Sequence, residues 1–252
     1  MYASGTTSDC RMELKTDNDP MGQAIADYWS TGKADRLRVL SPLFDEDEIP
    51  VPLLFRSFED MPLLEQKALR MTHGRTLDVG SGAGCHALWL QEQGIDVTAL
   101  DISSLAVQTM RQRGLSKVVQ GDFFDLDDGP YDTILMLMNG IGIVGTLNHM
   151  PRFFAQLDRL LAPQGKVLCD SSDICYVFEN EEGVVELPDG DGYYGELTYK
   201  MRYRNTRGKS FPWLYIDFET LQAVSAAHGD RAELLCKGPH YDYLACISRN
   251  QN

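Results

Sequence analysis

The chain has 252 residues, 43% of them hydrophobic, which suffices for one large domain or two small ones with a full core. Lys plus Arg number 23 against 37 Asp plus Glu, a formal charge of -14 that disfavours nucleic acid and anionic lipid as partners. The six cysteines (Cys10, Cys85, Cys169, Cys175, Cys236, Cys246) form no C-x-x-C pair and have no His at ligand spacing, so reduced core thiols are expected and a metal is not. The longest apolar run, Ile134 to Val144, is too short to span a membrane, and Met1 to Asp19 lacks the apolar stretch of a secretory signal. A cytoplasmic protein is the expectation.

Met1 to Asp19 is polar and reads as a disordered tail. Asp19-Pro20 starts a helix whose Ala24, Ile25, Tyr28 and Trp29 fall at helical spacing and which Gly32 ends. The acidic run Asp45 to Glu48, with Pro50 and Pro52, reads as a loop before a helix from Leu63 to Met71. Residues 20–74 are therefore expected to form an N-terminal helical cap on a main domain of residues 75–252. In that domain Leu77 to Val79 opens as a strand, and Ile95 to Asp101 forms the next. Ser103 or Ser104 caps a helix stopped by Gly114, and Val118-Val119 begin a third strand ending at Gly121-Asp122. Thr133 to Met138 is a continuous apolar run, as in a strand covered on both faces, and stops at Asn139-Gly140. Pro151 opens a helix closed by Gly165, and Lys166 to Cys169 is a fifth strand.

The pattern then changes. Leu197, Tyr199, Met201 and Tyr203 alternate with polar residues, the period of a half-exposed strand, and Phe211 to Ile216 can return as its hairpin partner. This predicts an inserted β-hairpin at about residues 176–216. Asp217 caps a helix ended by Gly229, and Ala232 to Lys237 and Tyr243 to Ser248 are joined by a link too short for a parallel crossover. The expected fold is α/β: a doubly wound, Rossmann-like, mostly parallel seven-stranded sheet with an antiparallel C-terminal strand.

Chemistry concentrates in Leu77-Asp78-Val79-Gly80-Ser81-Gly82-Ala83-Gly84. In such a strand-to-helix turn the first glycine makes the turn, the second lets a ligand approach the backbone, and the third allows close helix packing. Asp101 closes the second strand about twenty residues later, where a carboxylate accepts hydrogen bonds from ribose hydroxyls. A dinucleotide fingerprint would place glycine at 80, 82 and 85, whereas this chain has Cys85 and its third glycine at Gly84. Asp78 also sits badly for a pyrophosphate on the helix N-terminus, and suits a ligand with an ammonium group. S-adenosylmethionine has one, and no phosphate.

With Asp78-x-Gly80-x-Gly82-x-Gly84, Asp101 and Gly121-Asp122 in this order, the chain resembles the class I S-adenosylmethionine-dependent methyltransferases from about Leu63 onward. The resemblance implies that the glycine turn with Asp78 holds the methionine end of the cofactor, Asp101 the ribose, and Asp122 with Phe123 the adenine. The cofactor-binding set expected on this basis is Asp78, Gly80, Ser81, Gly82, Gly84, Asp101, Ile102, Asp122, Phe123 and Asn139. Phe55-Arg56, Asn139-Gly140-Ile141-Gly142 and Phe211-Pro212-Trp213 look like a bacterial subgroup of these proteins. The acceptor should lie past the fourth strand, outside the carboxyl ends of the sheet. Gly140, His149, Trp213 and His240 are the candidate substrate residues; no catalytic base is assigned.

Several residues have an alternative role. Arg56 either reaches the cofactor carboxylate or pairs with Glu59 or Asp60. His149 is equally a helix-cap residue. The tyrosines from Tyr176 to Tyr215 either roof a pocket or pack across strands. Lys200 to Lys209 reads as a solvated basic face. The expected function is methyl transfer to a small-molecule acceptor. The alternatives are a non-catalytic S-adenosylmethionine-binding sensor or partner subunit, and an NAD-dependent oxidoreductase. The oligomeric state is not encoded in any of these features.

Overall fold

Asp19, by its side chain, and Gly32, by its backbone freedom, bracket the first helix. The computed structural model describes residues 16–180, 182–187 and 192–250. In helix α1 (Pro20–Thr31) the Asp19 carboxylate accepts from the Gly22 amide at 2.7 Å, and Gly32 closes the helix at φ 70°. Thr16–Asn18 form a 3-10 turn ahead of it, so the last positions of the expected tail are ordered; residues 1–15 lie outside the described residues.

Two short strands follow, β1 (Leu37–Leu40) and β2 (Asp47–Ile49), paired antiparallel. They add a pair of strands to the helices expected of the N-terminal cap. The end of the acidic run that reads as a loop, Asp47 and Glu48, lies in β2, while Asp45 and Glu46 precede it; Glu46 pairs with Arg38 and Glu48 with Arg36.

Beyond them come α2 (Leu63–Met71), β3 (Thr76–Val79), α3 (Cys85–Glu92), β4 (Val97–Asp101), α4 (Ser104–Gln112), β5 (Val118–Gln120), β6 (Tyr131–Met136), α5 (Met150–Leu160) and β7 (Leu161–Ser172). The chain then runs through β8 (Glu196–Tyr203), β9 (Thr206–Arg207), β10 (Phe211–Leu214), α6 (Phe218–His228), β11 (Asp230–Lys237) and β12 (Asp242–Arg249). Helix α5 ends at Leu160, not at Gly165. Gly165 instead lies within β7 where its register against β6 is irregular, and a Cβ there would lie 2.7 Å from the Tyr131 carbonyl oxygen.

The main sheet has seven strands in the order β11-β12-β7-β6-β3-β4-β5. Strands β3 to β7 are mutually parallel, and β12 runs antiparallel between β7 and β11. Helices cover both faces. Ile134 and Met136 of β6 pack with Phe153, Phe154 and Leu157 of α5 and Leu221 of α6. Leu135 and Leu137 point the other way, into a core with Leu64 and Leu69 of α2, Leu90 of α3 and Met110 of α4. That two-sided burial explains the unbroken apolar run in β6.

A second, antiparallel sheet runs β10-β8-β1-β2, with β9 on β8. The expected hairpin pairing holds, Tyr199 opposite Phe211 and Leu197 opposite Trp213. The other edge of β8 pairs with β1, so the insertion and the N-terminal segment build one sheet. Its Leu37 and Tyr203 bury against Ala24 of α1 and Val51. Ile25, also on α1, packs on Ala83 of the glycine turn and Ala106 of α4. The second sheet is thereby anchored beside the carboxyl edge of the first.

Candidate cofactor and acceptor site

The turn after β3 has the shape its glycines predict. Gly80 and Gly82 have φ of 69° and 56°, and a Cβ built on Gly80 meets nothing within 4 Å, so open space lies over the turn. Gly84, the N-cap of α3, serves packing: its Cβ would stand 2.7 Å from Leu115 and 3.0 Å from Met110. Ser81 donates its hydroxyl to the Asp78 carbonyl at 2.8 Å and so ties the turn to the strand end.

Asp101 closes β4 beside the turn. One carboxylate oxygen accepts from the Gly82 amide and the other from the Ser103 amide, each at 2.8 Å. Burial pushes its pKa up to about 6, against these hydrogen bonds. Ile102 follows with its side chain 41% exposed, a free apolar surface next to the carboxylate. Ser103 caps α4 and also donates to Asp19, so the start of α1 is bonded to the residue two places beyond Asp101.

Asp122 caps a 3-10 turn, accepting from the Phe124 amide at 2.9 Å. Phe123 is 3% exposed and packs against Phe153, so its ring belongs to the core and only its backbone can face a ligand.

Two buried side-chain atoms lack a partner among the described residues, Asp78 Oδ2 and Arg56 Nε. Arg56 pairs with Glu65, not with Glu59 or Asp60, and also donates to the Leu53 carbonyl. Glu65 in turn meets His86 Nε2 at 2.7 Å. Burial opposes charge on His86, yet Cys85, Glu65 and Asp78 together raise its pKa well above the ordinary value. Burial also raises the pKa of Asp78. One carboxylate oxygen and one guanidinium nitrogen are thus left unsatisfied, with Asp78 electrostatically coupled to the His86–Glu65 pair that holds Arg56, at a cost that a bound zwitterion would relieve. The methionine end of S-adenosylmethionine is such a group. Nothing in the spacing of Glu65, Arg56 and His86 reveals this network, since they come from three different elements.

The turn after β6 is backbone-strained. Met138 and Asn139 both lie at positive φ, 64° and 55°. Asp170, near the end of β7, holds them there: its carboxylate accepts from the Met138 amide at 3.1 Å and the Gly140 amide at 3.3 Å. Burial pushes the Asp170 pKa up to about 7. Asn139 Oδ1 accepts from the Ser172 hydroxyl at 3.0 Å. Sequence reasoning assigns Asp170 no role; its place immediately after an apolar strand was the available signal.

Among the candidate substrate residues, Gly140 is buried in that turn and Trp213 covers its continuation at Gly142. His149 is exposed and its Nδ1 lies 3.2 Å from both the Val144 carbonyl and the Thr146 hydroxyl, which fixes it as a turn residue at the start of α5. His240 lies exposed in the β11–β12 turn, joined through its backbone amide to Asp242. This turn borders the same carboxyl edge, because Asp242 is in register with Ser172. In the basic stretch, Arg204 pairs with Asp27 and Asp35.

No helix among the described residues is long and apolar enough to cross a membrane. A family profile described as "Methyltransferase domain" matches residues 77–169. A crystal structure of a SAM-dependent methyltransferase from Bacteroides fragilis, in complex with S-adenosyl-L-homocysteine, is 51% identical. It covers 97% of this chain and 100% of that one, with a TM-score of 0.90. The CcbJ methyltransferase of Streptomyces caelestis shares the fold at 16% identity, covering 94% of this chain and 100% of that one, with a TM-score of 0.58. Cypemycin N-terminal methyltransferase from a Streptomyces species is 30% identical over 109 residues, 41% of this chain and 44% of that protein. The chain spans less than half the length of the curated relatives it matches. The cofactor is S-adenosylmethionine, and the nicotinamide reading of the glycine turn falls away. The chain belongs to the S-adenosylmethionine-dependent methyltransferases.

Proposed function

We propose that the protein methylates a small-molecule acceptor held between the carboxyl edge of the main sheet and the second sheet. The observation that carries this reading is the contact of Trp213 with Gly142, which brings β10 down onto the turn after β6. An acceptor there is walled on two sides, which suits a small molecule and not a polymer chain running across the surface.

In this reading Asp78 holds the cofactor ammonium, Arg56 the carboxylate, Asp101 the ribose hydroxyls, and Ile102 with Asp122 the adenine. Gly80 and Gly82 leave the backbone bare for the methionine end, while Asn139 and Gly140 border the methyl group. When bound, S-adenosylmethionine supplies a methyl carbon on an already activated leaving group. The chain's own contribution is then alignment and exclusion of water, to which the strained, Asp170-held turn and the Trp213 contact are suited. The cytosolic location expected from the sequence draws support from the free thiols of Cys85, Cys169, Cys175, Cys236 and Cys246. Recovery of these thiols as disulfides from native cells would overturn it.

Two measurements test the function together. Calorimetric titration with S-adenosylmethionine should show binding that Asp101→Ala weakens at least about tenfold. Incubation with labelled cofactor and a panel of small acceptors should transfer label to at least one. Binding without transfer to any acceptor would favour the non-catalytic sensor reading instead.

A further inference from the structure

The two faces of the second sheet differ in chemistry. Side chains alternate along a strand, so Glu48 takes one face of β2 and Asp47 the other, and Glu46 immediately precedes the strand. The glutamates are matched by Arg38 and Arg36. Asp47 is in register with Val39, which is in turn in register with Met201 of β8. It is exposed, and among the described residues no lysine or arginine pairs with it; its Oδ1 accepts only the Glu48 amide.

The rest of that face is aromatic toward β10. Tyr199, two positions from Met201, stands edge-on to Phe211 with ring centroids 6.3 Å apart, and Trp213 lies two positions beyond Phe211 on the same face. The Tyr199 and Tyr215 hydroxyls are 3.2 Å apart. The residue after Tyr215 is tied to the main sheet: the amide of Ile216 donates to Ser171 Oγ at 3.0 Å. The face therefore runs from Asp47, past the tyrosine pair, to the carboxyl end of β7 where Asp170 holds the methyl-transfer turn. Asp47 bears electrostatically on both Tyr199 and Tyr215, and Asp170 on Tyr215.

We propose that this face is the acceptor wall and that it selects a molecule carrying an amine on an apolar, ring-bearing skeleton, with Asp47 holding the ammonium form and the rings of Tyr199, Phe211 and Trp213 covering the skeleton. The inference rests on the methyltransferase reading of the same site. A carboxylate supplies a charge-assisted hydrogen bond to an ammonium, and aromatic faces attract cations. An acidic or phosphorylated acceptor would meet like charge at Asp47.

The test uses three ligands with one ring: tyramine, 4-ethylphenol and 4-hydroxyphenylacetate, whose side chains end in an ammonium, nothing charged and a carboxylate. Each is titrated into full-length protein saturated with S-adenosylhomocysteine, so that no turnover occurs. Tyramine should bind about tenfold tighter than 4-ethylphenol, and 4-hydroxyphenylacetate most weakly. Asp47→Asn should shrink the tyramine advantage to about threefold or less without changing S-adenosylhomocysteine affinity. Because Asp47 is exposed, this variant should melt like the parent. The proposal is overturned if none of the three binds, if tyramine has no advantage, or if its advantage survives in Asp47→Asn. Failure of S-adenosylhomocysteine itself to bind would instead remove the methyltransferase reading beneath it.

Discussion

Trp213 lies across Gly142 so closely that a Cβ at that position would overlap the indole at Nε1 and Cε2. The contact joins the inserted hairpin to the turn that follows β6, two segments that share no hydrogen-bonded ladder. Gly142→Ala should therefore push the indole aside. Overpacking of this kind costs about 1–3 kcal/mol. The expected result is a lower midpoint in urea and a kcat/KM for acceptor reduced about tenfold or more, with cofactor affinity within about twofold of the parent. Unchanged acceptor kinetics would show that β10 does not shape the acceptor site.

Asp78 has a buried oxygen without a partner among the described residues, an arrangement that costs stability. Asp78→Asn keeps the shape and removes the buried charge. The variant free of cofactor should be as stable as the parent or more so, by about 1 kcal/mol. Its affinity for S-adenosylmethionine should fall about 10- to 100-fold, as expected for loss of a charge-assisted hydrogen bond. Differential scanning calorimetry and titration calorimetry on the same preparation separate the two effects.

Asp101 gives a pH signature whose two readouts have opposite signs. Its folded-state pKa is raised to about 6 from the ordinary 3.8. The folded protein thus keeps the proton longer than the unfolded chain, and this group's contribution to stability falls as pH rises from about 4 to about 6. Cofactor binding should run the other way, because ribose hydroxyls donate to the ionised carboxylate. Affinity is expected to weaken as pH drops below about 6, approaching tenfold per unit, with Asp101→Asn weaker throughout and flat over that range. A parent profile equally flat between pH 5 and 7 would contradict the ribose role.

Asp170 holds Met138 and Gly140 by their amides, on either side of the left-handed Asn139. Asp170→Ala leaves both donors unpartnered, at about 1–3 kcal/mol each. The variant should lose stability in urea and show amide exchange accelerated at residues 138–140, while Asp170→Asn, which retains one acceptor oxygen, should lose less. Protection at Met138 unchanged in Asp170→Ala would show that the turn is held by other contacts.

What the sequence determined by itself is what contiguous residues encode. The caps Asp19, Ser103 and Asp217 were legible because each bonds an amide three residues on. Gly80, Gly82 and Asp101 were legible because a strand-turn-helix-strand unit fixes their spacing. Asp78 was singled out for its charge, although its unpartnered oxygen becomes evident only once the strand is buried. Tertiary structure alone decided the rest. Arg56 found Glu65 instead of its near neighbours because α2 presents that carboxylate, itself held by His86 from α3, in a site with little water to compete. Asp47 and Glu48 of the acidic run became part of a strand because β1 stands beside them, itself held on its other edge by β8. Asp47, Tyr199 and Trp213 share a face through that pairing. Alternation along each strand indicates which residues travel together, but strand register, set by long-range pairing, decides what they meet.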